Sequence, residues 1–118
     1  WCPPCQAEFP EFVKLAREFA DHPGVQIISV SSSPGPEYDL ESLRENTAAF
    51  MTQHDVPIAT YADPAALTRQ KLALLLPHGT FRYPTTLLVD GQGKIVDAMV
   101  GYLPGEMEKL TAKIKSML

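Results

Sequence analysis

The sequence predicts an α/β protein of one domain, a mixed sheet with helices on both faces. Three observations predict it. Apolar residues recur by turns at helical and at strand spacing, in the order α-β-α-β-α-β-β-α. The last two strands are joined by Gly91-Gln92-Gly93, a tight turn that makes them an antiparallel hairpin. A chain of 118 residues, 45% apolar and 20% charged, is long enough and apolar enough to bury one sizeable core.

The elements follow in order. Phe9, Phe12, Val13, Ala16, Phe19 and Ala20 lie at helical spacing just after a pair of cysteines. Cys2 is placed to cap that helix. Pro3 and Pro4 fall in its first turn, where a missing N–H costs nothing. Pro10 falls inside the pattern and is expected to kink the helix. Asp21-His22-Pro23-Gly24 ends it. Val25 to Val30 reads as a buried strand. Ser31 to Asp39 is loop. A second helix is expected from Leu40 to His54, with Ser42 and Glu45 spaced as a capping box. Ile58 to Tyr61 is a short strand. Asp63-Pro64 reads as a cap followed by proline at the first helical position, with a third helix running to about Leu76. Thr85 to Asp90 is a strand, and Lys94 to Val100 returns antiparallel to it. Met107, Leu110, Ile114 and Met117 form the apolar stripe of a last helix facing the sheet.

Composition excludes several classes. The net charge is −4, from 14 acidic and 10 basic residues, and no basic cluster offsets it. That argues against a nucleic-acid binder. The longest apolar run, Leu72 to Leu76, is far too short to span a bilayer. The chain opens at Trp1 rather than at Met, so upstream residues, with any targeting segment, are expected to be missing.

The chemistry concentrates at the start. Trp1-Cys2-Pro3-Pro4-Cys5 holds the only two cysteines of the chain. Their spacing suits a disulfide across one helical turn, since the bridge needs Cα atoms ~4.4–6.8 Å apart. A cysteine at a helix N-terminus faces unpaired N–H groups and the positive end of the dipole, which favour thiolate. Cys2 is therefore the candidate attacking thiol, and Cys5, one turn further in, the candidate resolving thiol. Zinc would need about four ligands, and His22, His54 and His78 are scattered without paired spacing. A c-type haem would need histidine after Cys5, where Gln6 stands. A structural disulfide remains the competing reading, although so short a loop yields little entropic stabilisation. His22 and His54 sit at helix ends and read as solvated. His78 is the one histidine worth testing.

Trp1 to Cys5, followed by Gln6-Ala7-Glu8-Phe9-Pro10, resembles the active-site segment of thioredoxin-fold proteins. The resemblance is nearest to the TlpA/ResA-like branch of thiol–disulfide oxidoreductases. Tyr83-Pro84-Thr85-Thr86-Leu87-Leu88-Val89-Asp90 and Gly91-Gln92-Gly93-Lys94-Ile95 form a second matching motif. The resemblance implies that Cys2 attacks and Cys5 resolves. It implies a cis bond before Pro84, close to the cysteine pair. It gives Tyr83 the backbone that pairs with an extended substrate, and Trp1 a place flanking the site. Glu8 would lie near the disulfide. There it would handle protons, or, in the plainer reading, simply complement the helix dipole.

The family also implies protein thiols or disulfides as partners, a membrane redox partner, cytochrome c maturation substrates and a periplasmic or membrane-anchored, extracytoplasmic location. No cofactor is expected beyond the Cys2–Cys5 pair, and no metal. Peroxidases on this fold use a different local motif. Two departures stand out. The family's first central strand, just before the Trp-Cys motif, is missing from this chain, so residues 1–118 read as one thioredoxin-like domain truncated at its N-terminus. The stretch from Asp63 to Arg82 is longer than the family's, and Pro77 to Arg82 would form an enlarged loop beside the site.

Overall fold

The computed structural model describes residues 2–33, 39–55, 58–79 and 81–118. The chain runs α1 (Pro3–Glu18), β1 (Ile28–Ser32), α2 (Leu40–His54), β2 (Ala59–Asp63), α3 (Leu67–Ala73), a short 3-10 turn (Pro77–Gly79), β3 (Thr85–Val89), β4 (Ile95–Val100) and α4 (Glu106–Met117). This is the expected order.

The described strands form two ladders. β1 pairs with β2 in parallel, Ile28 opposite Ala59 through Ser32 opposite Asp63. β3 pairs with β4 antiparallel, Thr85 opposite Val100, with an irregularity at Leu88/Val89. Among the described residues no ladder joins the two pairs. Among the described residues the mixed sheet is thus two separate ladders, one parallel and one antiparallel. Ile28 and Val30, two residues apart and so on one face of β1, are 50% and 46% exposed.

The core lies between α1, α4 and the β3–β4 hairpin. Leu15 and Phe19 of α1 meet Met107, Leu110 and Ile114 of α4, with Phe12, Val25, Ile27, Leu88 and Met99 around them. Met117, the last residue of α4, does not join that stripe and is 45% exposed. Lys113 extends from α4 to the carbonyl of Val96 and the carboxylate of Asp97, and Lys115 pairs with Glu18. These contacts hold α4 across both α1 and β4. The ring of Phe9 lies 4.7 Å from those of Phe50 and His54, which sets α2 beside α1. His54 is thus packed on a ring rather than simply solvated.

Several boundaries move for identifiable reasons. α1 continues through Pro10 to Glu18. The first strand begins at Ile28 rather than Val25, since Val25 and Ile27 pack on the core before the ladder starts. Residues 34–38 of the following loop lie outside the described residues. α2 has the expected bounds, but its cap is Asp39, whose carboxylate accepts from the Ser42 amide at 2.7 Å. The capping box at Ser42 and Glu45 is one turn too late.

α3 departs most. It starts at Leu67, not Pro64, and ends at Ala73. Residues 63–66 form a turn closed by the Ala66 amide on the Asp63 carbonyl, with Ala66 at φ 55°. Asp63 still caps the helix, from a distance. Its buried carboxylate accepts from Leu67 and Thr68 at 2.9 Å and from Arg69 at 3.4 Å. The helix stops early because Leu74 and Leu75 find nothing to pack on and stay exposed, leaving only Leu76 buried.

Asp63→Ala removes the acceptor of three amides at the start of α3. The variant is expected to lose about 1–3 kcal/mol of stability by denaturant unfolding, with an unchanged slope. An unchanged midpoint would show that α3 is not held by this carboxylate.

Candidate active site

The site starts with backbone accounting at the α1 N-terminus. A helix start leaves its first amides without intrahelical partners. Here Cys2 is the N-cap and prolines fill the first two helical positions. Pro3 and Pro4 have no N–H to offer. The next amide, that of Cys5, donates to Cys2 Sγ at 3.3 Å, and the Gln6 amide closes the first regular turn on the Cys2 carbonyl at 3.1 Å. The first turn therefore aims its single available N–H at the Cys2 sulfur. Cys2 and Cys5 are joined as a disulfide, with Cα atoms 5.2 Å apart. Both are partly exposed, and Pro3, Pro4, Gln6 and Ala7 around them are exposed. The sulfurs thus sit at an accessible helix tip.

Glu8 lies three residues beyond Cys5, on the same side of α1. It is 6% exposed. Its pKa is raised to about 7, first by burial and then by the nearby Glu11, against a hydrogen bond from Thr86 that lowers it. This carboxyl changes charge near neutrality, one helical turn from the disulfide along α1.

The β3–β4 hairpin brings the second motif. The Tyr83–Pro84 bond is cis. The Pro84 carbonyl accepts from the Gly101 amide at 2.8 Å, which fixes the start of β3 to the end of β4. Tyr83 is held by neighbours: the Phe81 ring lies 5.5 Å away edge-on, and the Arg69 guanidinium lies 5.3 Å from the Tyr83 centroid. Thr86, two residues past Pro84, reaches Glu8. The two motifs, far apart in sequence, therefore meet through a side-chain contact between α1 and β3.

Trp1 lies outside the described residues, and so do Thr80 of the enlarged loop and the side chain of His78. Sequence reasoning missed four participants: Glu11, Thr86, Tyr102 and Arg69. Glu11 was within reach, because it follows Glu8 by three residues on one helix. Tyr102 and Arg69 reach the site from other parts of the fold and carry no local signal. Among the described residues no group of His, Cys, Asp and Glu could hold a metal ion.

With this geometry in hand, the kinship is clear. The AhpC/TSA family model matches residues 1–98. The chain belongs to the AhpC/TSA family, a thioredoxin-like group, and within it stands on the TlpA/ResA-like branch. It is 29% identical over 110 residues to the thioredoxin-like protein YneN of Bacillus subtilis, covering 92% of this chain and 56% of that protein. It is 27% identical to the thiol-disulfide oxidoreductase ResA of Halalkalibacterium halodurans, covering 91% of this chain and 52% of that one. The crystal structure of a DsbE-type thiol:disulfide interchange protein from Chlorobium tepidum has the same fold. Its TM-score is 0.69 at 24% identity, over 98% of this chain and 72% of that one. The chain spans little more than half the length of the curated relatives it matches.

The raised Glu8 pKa has a consequence for stability. Below about pH 4.5 the group is protonated in folded and unfolded states alike. As pH rises from about 4.5 to about 7 the unfolded chain ionises while the folded one resists, so stability falls across that window and levels off above it. In the oxidised protein, Glu8→Gln should remove this slope and gain on the order of 2 kcal/mol over the natural chain at pH 8 relative to pH 5. Parallel stability curves for the two proteins would show that Glu8 titrates as a free carboxyl.

Proposed function

We propose that this chain is a thiol–disulfide oxidoreductase that exchanges disulfides with protein partners through Cys2 and Cys5. One observation carries the reading: the Cys2–Cys5 pair stands at an accessible helix N-terminus with the Cys5 amide on the Cys2 sulfur. In the reduced form that amide and the helix dipole favour the Cys2 thiolate, the nucleophile of exchange. The thiolate attacks one sulfur of a partner disulfide, the partner's S–S bond breaks, its other sulfur leaves as a thiolate, and a mixed disulfide forms. Cys5 gives up its proton and attacks Cys2 Sγ, the bond to the partner breaks, and the partner leaves as a thiolate. Glu8 takes the Cys5 proton. No cofactor beyond the cysteine pair is needed.

Recognition uses the backbone of Tyr83 ahead of Pro84, against which an extended partner segment pairs as an added strand. The family resemblance assigns Trp1 a place flanking that approach. Backbone pairing tolerates many side chains, which suits a site serving several proteins. The partners are protein thiols or disulfides, a membrane redox partner and substrates of cytochrome c maturation among them, as the family resemblance implies. The same resemblance implies a place outside the cytoplasm, in the periplasm or held at the membrane. Among the described residues no helix is long and apolar enough to cross a membrane.

The test is trapping. Cys5→Ser should accumulate a mixed disulfide between Cys2 and a model protein disulfide such as insulin, because nothing remains to resolve it. Cys2→Ser should trap almost none, and both variants should lose turnover to background. If neither variant traps and the natural chain does not accelerate insulin reduction, the bridge is structural and the chain is a redox-inert binding module. Consumption of peroxide by Cys2 without any mixed disulfide would mark a peroxidase instead.

A further inference from the structure

Two arginines stand at the Tyr83–Pro84 step. Arg69 of α3 lies over the Tyr83 ring, its guanidinium 5.3 Å from the centroid. Arg82 directly precedes Tyr83, and its guanidinium backs onto Gly101, 3.8 Å from where a side chain on that glycine would begin. The Gly101 amide in turn holds the Pro84 carbonyl at 2.8 Å. Two separate stretches of chain, α3 and the segment entering β3, thus each bring a guanidinium to this step. Both arginines are exposed. Among the described residues the ion pairs are made by Lys109, Lys113 and Lys115, and neither arginine has a carboxylate partner. The acids of the same region are turned elsewhere. Asp63 gives its carboxylate to the amides of Leu67, Thr68 and Arg69. Glu11 lies by the hydroxyl of Tyr102, one residue past Gly101.

The chain carries a net charge of −4, so a corner with two cations runs against its overall balance. A guanidinium packed on an aromatic ring is already partly fixed, and its planar fork fits a carboxylate with two hydrogen bonds. An extended segment sets a residue about every 3.3 Å. Residues flanking the one paired with Tyr83 therefore fall within reach of both guanidinia. We propose that Arg69 and Arg82 are specificity residues that select protein partners with an acidic side chain, aspartate or glutamate, beside the disulfide cysteine. The proposal rests on the exchange reading above, with its pairing at Tyr83, and names the chemistry of the partner segment. Backbone pairing accepts many sequences, and the two arginines supply the choice among them. They attract and orient the segment and take no part in the exchange of bonds. Because both are exposed, salt weakens their attraction.

The experiment uses the reduced full chain and two short peptides. Each peptide is closed by one disulfide, and they differ only in having aspartate or lysine beside the cysteines. The readout is the ratio of kcat/KM for the aspartate peptide to that for the lysine peptide, each divided by the rate of dithiothreitol with the same peptide. A general loss of activity or of folded protein cancels from this ratio. The natural chain should prefer the aspartate peptide at low salt. Arg69→Gln and Arg82→Gln should each lower the ratio about two- to fivefold. Arg69→Lys should restore part of it, because the charge is kept. The double reversal, Arg69→Glu with Arg82→Glu, should invert the preference, and high salt should bring all ratios toward one. A ratio of one in the natural chain at low salt, or a preference that the double reversal leaves unmoved, would overturn the proposal and leave the exchange reading standing. The neutral 2-hydroxyethyl disulfide separates the two: a natural chain that fails to reduce it exchanges no disulfides, and both readings fall.

Discussion

The first turn of α1 has one backbone N–H to spare, and it goes to the sulfur of Cys2 at 3.3 Å. Pro3 and Pro4 leave the two preceding positions without donors. This concentrates the choice between thiol and thiolate on a single contact. A neutral sulfur is a weak acceptor and a thiolate a strong one, so the bond strengthens as Cys2 loses its proton. The same scarcity limits the effect: only the Cys5 amide and the helix dipole act on the sulfur from the first turn. Whatever keeps α1 in place therefore keeps the nucleophile tuned.

That task falls to groups well away from the sulfurs. Leu15 and Phe19 bury the far half of α1 against Met107, Leu110 and Ile114. Phe9 anchors the near half on Phe50 and His54 of α2. Glu8, next to Phe9 in that near half, faces β3 through Thr86. One helix thus carries the Cys2–Cys5 pair at its tip and the buried Glu8 along its side. The hairpin that supplies Thr86 also supplies Pro84, tied to Gly101. The cis Pro84 and the buried Glu8 are in this way set by the same two elements.

Much of this was legible in local pattern. The cysteine pair, its cap position and the two prolines follow from spacing alone, and α2 has the bounds its periodicity implies. The hairpin turn follows from Asp90 and the glycines after it. Asp90 accepts from Gln92 and Lys94, and Gly93 adopts φ 83°. What local pattern could not show depends on tertiary context. Asp63 caps α3 across a turn rather than next to it, and Ala66 takes a left-handed backbone that no propensity favours. Val25 and Ile27 look like strand because they are apolar, but the core takes them before a partner strand does. Tyr102 has no local signature at all; its role exists only because the chain returns beside α1 after β4. A proton-handling role for Glu8 was readable from the resemblance, whereas the burial that raises its pKa was not.

The measurement that tests the central claim most directly is the alkylation rate of each thiol in the reduced protein as a function of pH, with the two cysteines resolved by mass spectrometry. The account predicts that Cys2 reacts faster than Cys5 and titrates below the free-thiol value of ~8.5, because one amide and one helix dipole act on it. Equal rates at the two cysteines, or faster labelling of Cys5, would contradict it.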